Sequence, residues 1–369
     1  MQENKNYFSV CFNIMKMRYM DFDRSIESLD GFVDPTDKIN VFISMETILK
    51  NLCSIRDLDE KVMNAEKLGV QLVSDMINLC AHYKRFFVDN GLFTRVFLYM
   101  TDLVSDSLRE YEWNEDYRSY YFIKYNRNPK YDSLREELNK TTFPLLRQII
   151  EFLPNVYFIE GKNIDGSTIP YTIGTSEPGY KNFILSSDTM ETQYTLIPNF
   201  VHYYMKRSSS GSSNNCTVDM YLENIFKLKG KQEFSNEYAH LFGNRSFYLL
   251  LLTSIGEKYR CIDKISELTP LKVTKYLLNG IQTNQILPTT EHIDLLVKIF
   301  PEEIREEIKR TVMEMDIIKK DQLLTEEDRF QIQKQMNDRF DHASLLRLNQ
   351  GMFYTCPLML EELTKQGHT

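Results

Sequence analysis

Cysteine, tryptophan, positive charge and long apolar runs are all scarce in this chain of 369 residues. The six cysteines, Cys11, Cys53, Cys80, Cys216, Cys261 and Cys356, include no C-x-x-C pair. That argues against structural zinc and against a disulfide framework, and it fits a reducing compartment. No signal-peptide pattern stands at the start, so the expectation is a cytoplasmic protein. The longest apolar run, Phe247 to Leu252, falls far short of the ~18 residues of a membrane span, and no membrane partner is expected. With a formal charge of -8, the field of the whole chain repels phosphate, so a nucleic acid would have to be held by a local basic patch. The six histidines have no H-E-x-x-H spacing, and neither a phosphate-binding glycine loop nor a G-x-S-x-G elbow occurs. Zinc hydrolases, nucleotide-driven motors, dinucleotide enzymes and serine esterases are thereby unsupported. The lone Trp113 sits among charges and reads as surface or loop packing.

What is present is enough apolar material for a real core. Hydrophobic residues make up 42% and charged residues 26%, as expected for one large or two medium domains. Ile39-Asn-Val-Phe-Ile-Ser44 reads as a buried strand running into a helix over 45–53, after an N-terminal strand or arm. Leu68, Leu72, Met76, Leu79, Tyr83 and Phe86 recur at helical spacing until Asn90-Gly91 closes the segment. Strands follow at Thr94 to Thr101, at Asn155 to Glu160 after a helix over 143–152, and at Asn182 to Ser186, whose acidic end reads as a helix start. Alternating strands and helices predict an α/β fold with a parallel sheet. The tract Ser208-Ser-Ser-Gly-Ser-Ser-Asn-Asn215 reads as a flexible loop, and beyond it the pattern is almost wholly helical to about Leu363.

Acids punctuate the ends of these segments: Asp102, Asp165, Asp188 and Glu257. Open α/β sheets place their ligand crevice at the carboxyl ends of strands. Converging carboxylates there are what magnesium or manganese needs, as in two-metal phosphodiesterases. The bland alternative is that an acid after a strand is a helix N-cap.

The order of these segments resembles the PIN-like 5′-nuclease superfamily, which includes flap endonucleases and phage 5′–3′ exonucleases. Glu160-Gly-Lys-Asn-Ile-Asp165-Gly166 is similar to the family's Val-Glu-Gly-x-Glu-Ala-Asp-Asp turn, and Ser186-Ser-Asp188-Thr-Met190-Glu-Thr-Gln193 to its Ser-Gly-Asp-x-Asp strand end. Gly256-Glu257 followed by Leu268-Thr-Pro-Leu-Lys272-Val-Thr-Lys275 resembles its Gly-Asp lead into a helix-three-turn-helix. The likeness covers about residues 39 to 280 and rests on order and spacing. It implies a central, mostly parallel sheet flanked by helices: a nuclease-fold core over 1–206, a loop over 207–216, a helix-three-turn-helix-like region over 217–285 and a helical segment over 286–369. It also implies that Asp165, Asp188 and Glu257 would be catalytic, and that these three with Asp102 would ligate metal. Tyr117-Arg118-Ser-Tyr-Tyr-Phe-Ile-Lys124-Tyr-Asn-Arg127-Asn-Pro-Lys130 resembles the family's segment near single-stranded 5′ ends. There Arg118, Lys124, Arg127 and Lys130 would meet phosphates while tyrosines stack on bases. Lys272 and Lys275 would hold duplex phosphates. The plain alternative for the tyrosine-rich segment is an amphipathic helix packed on the core.

Departures from the family pattern decide the functional expectation. Ser44-Met45 stands where the family has Asp-Gly, Met190 where Asp188 should have an acidic partner, and Arg260 where a second acid should follow Glu257. Asn163 and Gly166 replace two acids of the turn, and Ser266-Glu267-Leu268-Thr269-Pro270 replaces a glycine-rich turn. Losing that much negative charge leaves a single weakly held ion or none. The expectation is therefore a divergent 5′-nuclease-like protein that binds nucleic acid, single-stranded or at 5′ ends, or scaffolds a protein complex, with hydrolysis lost or reduced. The alternatives are an active magnesium-dependent exonuclease or flap endonuclease using the residual carboxylates, and a protein-interaction subunit that binds no nucleic acid. The alternating charges of Pro301-Glu-Glu-Ile-Arg-Glu-Glu-Ile-Lys-Arg310 read as a solvated helix face or a docking surface.

Overall fold

A computed structural model describes residues 33–34, 36–45, 47–48, 65–89, 91–101, 129–161, 164–186, 188, 190–204, 214–215, 239–257 and 262–337. Its centre is a sheet in the order β3-β2-β1-β4-β5-β6. Strands β1 (Lys38–Ser44), β2 (Phe93–Thr101), β3 (Val156–Gly161), β4 (Tyr180–Ser186) and β5 (Phe200–Tyr204) are mutually parallel. The sixth, β6 (Asn214–Asn215), pairs antiparallel with Tyr203 and Tyr204. It is made from the last two residues of the serine-rich tract, which find open backbone groups on the edge of β5.

Strand β1 is apolar almost throughout because a central parallel strand is covered on both faces. Its alternate residues then sort into two cores. Ile39, Val41 and Ile43 join Val96, Leu98, Phe183 and Leu185 against helices α1 (Ala65–Asp89) and α2 (Pro129–Phe152). Helix α1 supplies Leu72, Val73, Met76, Leu79, Cys80, Tyr83 and Phe87, one stripe at helical spacing. A Cβ on Gly69 would stand 2.0 Å from the Thr142 hydroxyl oxygen, so glycine is what lets α1 approach α2 so closely. Gly91, with φ of +80°, then turns the chain into β2.

The other face presents Phe42, Phe97, Tyr99 and Ile184 to a second core. That core is filled by α3 (Ile169–Ser176), α4 (Arg245–Thr253), α5 (Pro270–Gln282), α6 (Glu302–Met315), α7 (Ile317–Gln322) and α8 (Glu326–Asn337). Phe42 stacks on Phe97 at 4.9 Å between ring centres, and Phe97 on Tyr157 at 4.8 Å. Val312, Met315, Ile317 and Met336 of the C-terminal helices lie in the same cluster as the strand residues, so these helices share the core of the sheet. Helix α8 also borders the sheet edge, where Gln335 accepts from the Glu160 backbone N–H at 2.8 Å and donates to the Glu160 carbonyl at 3.0 Å.

Two elements differ from the sequence expectation. The segment after Asp188 forms a 3-10 helix over Met190–Leu196 instead of an α-helix. It leads through Asn199, at φ of +66°, directly into β5, a strand that the sequence pattern did not announce. His202 interrupts the apolar run of β5 and hides it. Among the described residues, no helix is long and apolar enough to cross a membrane.

Candidate functional site

Strand order reverses between β1 and β4, because the chain builds outward to β2 and β3 on one side and to β4 and β5 on the other. In open sheets such a reversal opens a crevice beyond the carboxyl ends of the strands. Ser44 ends β1, Tyr99 lies near the end of β2, Asp165 follows β3, and Ser186 with Asp188 ends β4. All of them are buried.

Asp165 caps the turn Gly166–Thr168 that opens α3. Its Oδ1 accepts from the Ser167 N–H at 3.0 Å, and its carbonyl accepts from the Thr168 hydroxyl at 2.7 Å. The other carboxylate oxygen meets the Lys320 ammonium at 2.6 Å, with both side chains only 4% exposed. Lys320 is carried by α7, which is itself tied down at several points. Gln193 donates to the carbonyls of Met190 and Met315 at 2.8 and 2.9 Å, and the Ile317 N–H donates back to Gln193 at 3.3 Å. Asp316 caps α7 by accepting from the Lys319 N–H at 2.9 Å, and it pairs with Arg245 at 2.6 Å. Asp321 accepts from the Thr172 hydroxyl at 2.5 Å and pairs with Arg329 at 3.0 Å.

At the end of β4, Asp188 Oδ1 accepts from the Met190 N–H at 2.9 Å, while the Asp188 N–H donates to the Ser186 hydroxyl at 3.3 Å. The Asp188 carboxylate thus meets the first residue of the 3-10 helix. The Tyr99 hydroxyl lies 2.9 and 2.8 Å from the two oxygens of buried Glu191 and donates its proton to them. Burial first, and then the Glu191 charge, hold the Tyr99 hydroxyl well above its usual pKa, so it stays protonated and remains a donor. Tyr194 is raised by burial and next by Glu191 and Asp165, and its hydroxyl donates to the Ser167 carbonyl. The His202 ring lies between the Ser186 hydroxyl at 2.9 Å and the Thr192 hydroxyl at 3.1 Å. Burial lowers its pKa to about 3, so the ring is neutral, with one nitrogen donating and the other accepting.

Glu257 is buried too, but in a different setting. Its backbone exchanges hydrogen bonds with Ile262 at 2.7 and 2.9 Å, an antiparallel bridge between α4 and α5. Gly256 precedes it at φ of +74°, where a Cβ would come within 2.7 Å of the Ile262 carbonyl oxygen. Helix α5 then starts at a Thr269 cap, which accepts from the Lys272 N–H at 3.2 Å, with Pro270 in its first turn. Lys272 and Lys275 are exposed on α5, and the Lys272 ammonium donates to the Glu267 carbonyl at 2.8 Å. Lys130 lies in the first turn of α2, while Asp102, Arg118, Lys124, Arg127 and Arg260 fall outside the described residues. Ser44 stands buried where the resemblance requires an acid, accepting from the Thr47 N–H at 3.3 Å, and Met190 is fully buried in the core.

Among the described residues, no three His, Cys, Asp or Glu side chains gather closely enough to hold a metal ion. The donor chemistry agrees. One carboxylate oxygen of Asp165 is held by an ammonium, one of Asp188 by a backbone amide, and Glu191 by a phenol. Magnesium and manganese favour several oxygens converging on one point, and these residues do not fit a two-metal centre. Lys320, Glu191, Tyr99 and His202 were not singled out by the sequence. Glu191 adjoins Met190 in the Asp188 segment and could have been noticed as a displaced acid. Nothing in the sequence marks Lys320, which is 155 positions from Asp165.

The parallel strands, their reversed order and the helices on both faces define an open, doubly wound α/β protein. Its parallel sheet is flanked by helices on both faces. No protein-family model matches the sequence, and no curated protein matches it. Among solved structures, one that is similar is the bacteriophage T5 flap endonuclease, as a pseudo-enzyme–product complex with DNA and metal ions. It has 8% identity and a TM-score of 0.43 over 81% of this chain and 100% of that chain. A T5 5′-exonuclease with divalent zinc bound has 10% identity and a TM-score of 0.46, covering 81% of this chain and 98% of that chain.

Proposed function

We propose that this chain is a 5′-nuclease-like protein that has given up metal-dependent phosphodiester hydrolysis and acts by binding nucleic acid, single-stranded or at 5′ ends. The order of acidic segments along the sequence and the reversal of strand order between β1 and β4 support the nuclease-like part. The observation that carries the loss of hydrolysis is the Lys320 ammonium, buried 2.6 Å from Asp165. At an effective dielectric of about 20, two unit charges about 4 Å apart interact by about 4 kcal/mol, so a dication beside an ammonium is opposed by roughly 8 kcal/mol. Ser44 and Met190, neutral where the resemblance calls for acids, supply nothing to offset that repulsion. Exposed Lys272 and Lys275, with the cation and aromatic residues between Tyr117 and Lys130, support a role in holding phosphates and bases.

The test uses purified full chain with labelled 5′-flap and single-stranded DNA and RNA, in magnesium, manganese or chelator, with Asp188→Ala as control. The expected outcome is a gel shift without metal-dependent cutting. Cutting that requires metal and disappears in Asp188→Ala would identify a working nuclease and overturn the proposal. No shift on any substrate would replace nucleic-acid binding with scaffolding of a protein complex.

A further inference from the structure

A second polar cluster lies around α7 and draws on four elements. Tyr171 belongs to α3, Arg245 opens α4, Arg329 belongs to α8, and α7 supplies its cap Asp316 and its own Asp321. Arg245 donates from Nη1 to Asp316 Oδ1 at 2.6 Å. Arg329 donates from Nη2 to Asp321 Oδ2 at 3.0 Å and to the Asp321 carbonyl at 2.7 Å. In both pairs the acid lies inside and the cation outside. The side chains of Asp316 and Asp321 are 11% and 7% exposed, whereas those of Arg245 and Arg329 are 28% and 34% exposed. A guanidinium carries five N–H donors in a rigid fork, so a carboxylate on one edge fixes the direction of the other. Among the described residues, Arg245 Nε and Nη2 and Arg329 Nε make no hydrogen bond, and each arginine keeps donors to spare.

Tyr171 brings a further donor. Its ring is stacked with Phe200 and Tyr194, at 6.3 and 6.5 Å between centres, and its hydroxyl has no hydrogen-bond partner among the described residues. Burial first and then the Asp321 charge raise its pKa, while Arg245 and Arg329 both act to lower it. The phenol therefore keeps its proton and stands within electrostatic reach of both cations. The neighbouring Thr172 hydroxyl, bonded to Asp321 at 2.5 Å, ties α3 to the same acid. On α7 the exposed Lys319 adds a third cation against the two acids, while Lys320 turns inward to Asp165. In a chain of formal charge -8, a phosphate has to be held by such a local surplus of donors.

We infer that Arg245, Arg329 and Tyr171 form a phosphate-binding site, in which the free guanidinium edges and the phenol donate to phosphate oxygens. Charge-assisted donation from a planar fork is the chemistry that favours arginine at such sites. The shared ligand chemistry is a phosphate oxyanion, carried by a nucleic-acid strand or by a free phosphate compound. The first source rests on the proposed function and adds a strand contact to Lys272 and Lys275.

The experiment gives the purified full chain two probes, a labelled single-stranded DNA and inorganic phosphate, the latter at matched ionic strength. Wild type is compared with Arg245→Gln, Arg329→Gln and Tyr171→Phe, each checked for folding by its thermal midpoint. Each arginine variant should lower the slope of log affinity against log salt for the strand by about 0.7, the value of one lost single-strand phosphate contact. Tyr171→Phe should weaken binding with the slope unchanged, since the phenol carries no charge. A purely structural ion pair would leave the slope where it is. Where a glutamine variant does not fold, Arg245→Lys or Arg329→Lys keeps the charge but loses the fork. Weaker binding of both probes is then expected, and unchanged binding overturns the inference. Phosphate bound by wild type and lost in the variants, with no strand bound, assigns the site to a free phosphate compound and overturns only the proposed function. A strand bound with the same affinity and slope by wild type and every variant overturns the inference and leaves the proposed function standing. Binding of neither probe by wild type overturns both.

Discussion

The two faces of the central strands use opposite means of filling the space beside them. Against α1 and α2, the strands present Ile39, Val41, Ile43, Val96, Leu98, Phe183 and Leu185. Among the described residues, the one buried lysine on that side, Lys84 of α1, donates its amine to the Pro154 carbonyl at 2.8 Å. On the other side, and concentrated at the carboxyl ends, Asp165, Lys320, Glu191, Tyr99, His202, Asp316 and Asp321 are all buried. Apolar burial is non-directional and tolerant, whereas each buried charge demands a matched partner in a fixed place. A protein that needed only stability would gain little from the second arrangement, because buried ion pairs seldom outperform well-packed hydrophobic residues. Their concentration lies at the carboxyl ends of the strands.

Breaking one side of the Asp165–Lys320 pair sharpens that contrast most. Asp165→Ala removes the carboxylate that the Lys320 ammonium meets and should cost about 3–5 kcal/mol in denaturant unfolding. Replacing both partners with neutral groups, Asp165→Asn with Lys320→Met, should recover much of the loss. A double variant no more stable than the single one would mean that the pair is not a closed unit. On the apolar face, Leu98→Ala should cost about 2–5 kcal/mol, and that cost should not change with salt or pH, because it arises from lost contacts and a cavity.

Acid should separate the faces next. The folded pKa of His202 is depressed to about 3 by burial, against 6.5 when unfolded. Stability contributed by the neutral ring is therefore fully present above pH 6.5 and lost as pH falls from 6.5 toward 3. Within that window His202 adds up to one proton to the difference between states, about 1.4 kcal/mol per pH unit. His202→Gln should show a correspondingly shallower decline in stability between those pH values. An unchanged slope would contradict a buried neutral ring. The smallest effect belongs to Gln335→Ala, which removes two hydrogen bonds to the Glu160 backbone and should cost about 1 kcal/mol.

Much of the apolar side was legible from sequence because periodicity reports burial directly. The patterns of β1 to β4 and the stripe on α1 stand within a few residues of their expected places. Strand β5 was not legible, since His202 and the neighbouring loop residues break the pattern that would announce it. Asp188 was placed correctly at a strand end, where its Oδ1 accepts from the Met190 amide at 2.9 Å. Lys320 was invisible for a different reason. Its meaning lies in a contact with Asp165 that only the docking of α7 creates, and α7 itself shows no more than one lysine among several.

The central claim is that the strand-edge carboxylates are neutralised from within the chain, and calorimetric titration of manganese into the wild-type protein tests it most directly. The prediction is no saturable binding up to millimolar manganese. One or two saturable sites that vanish in Asp188→Asn would contradict it and return the crevice to metal chemistry.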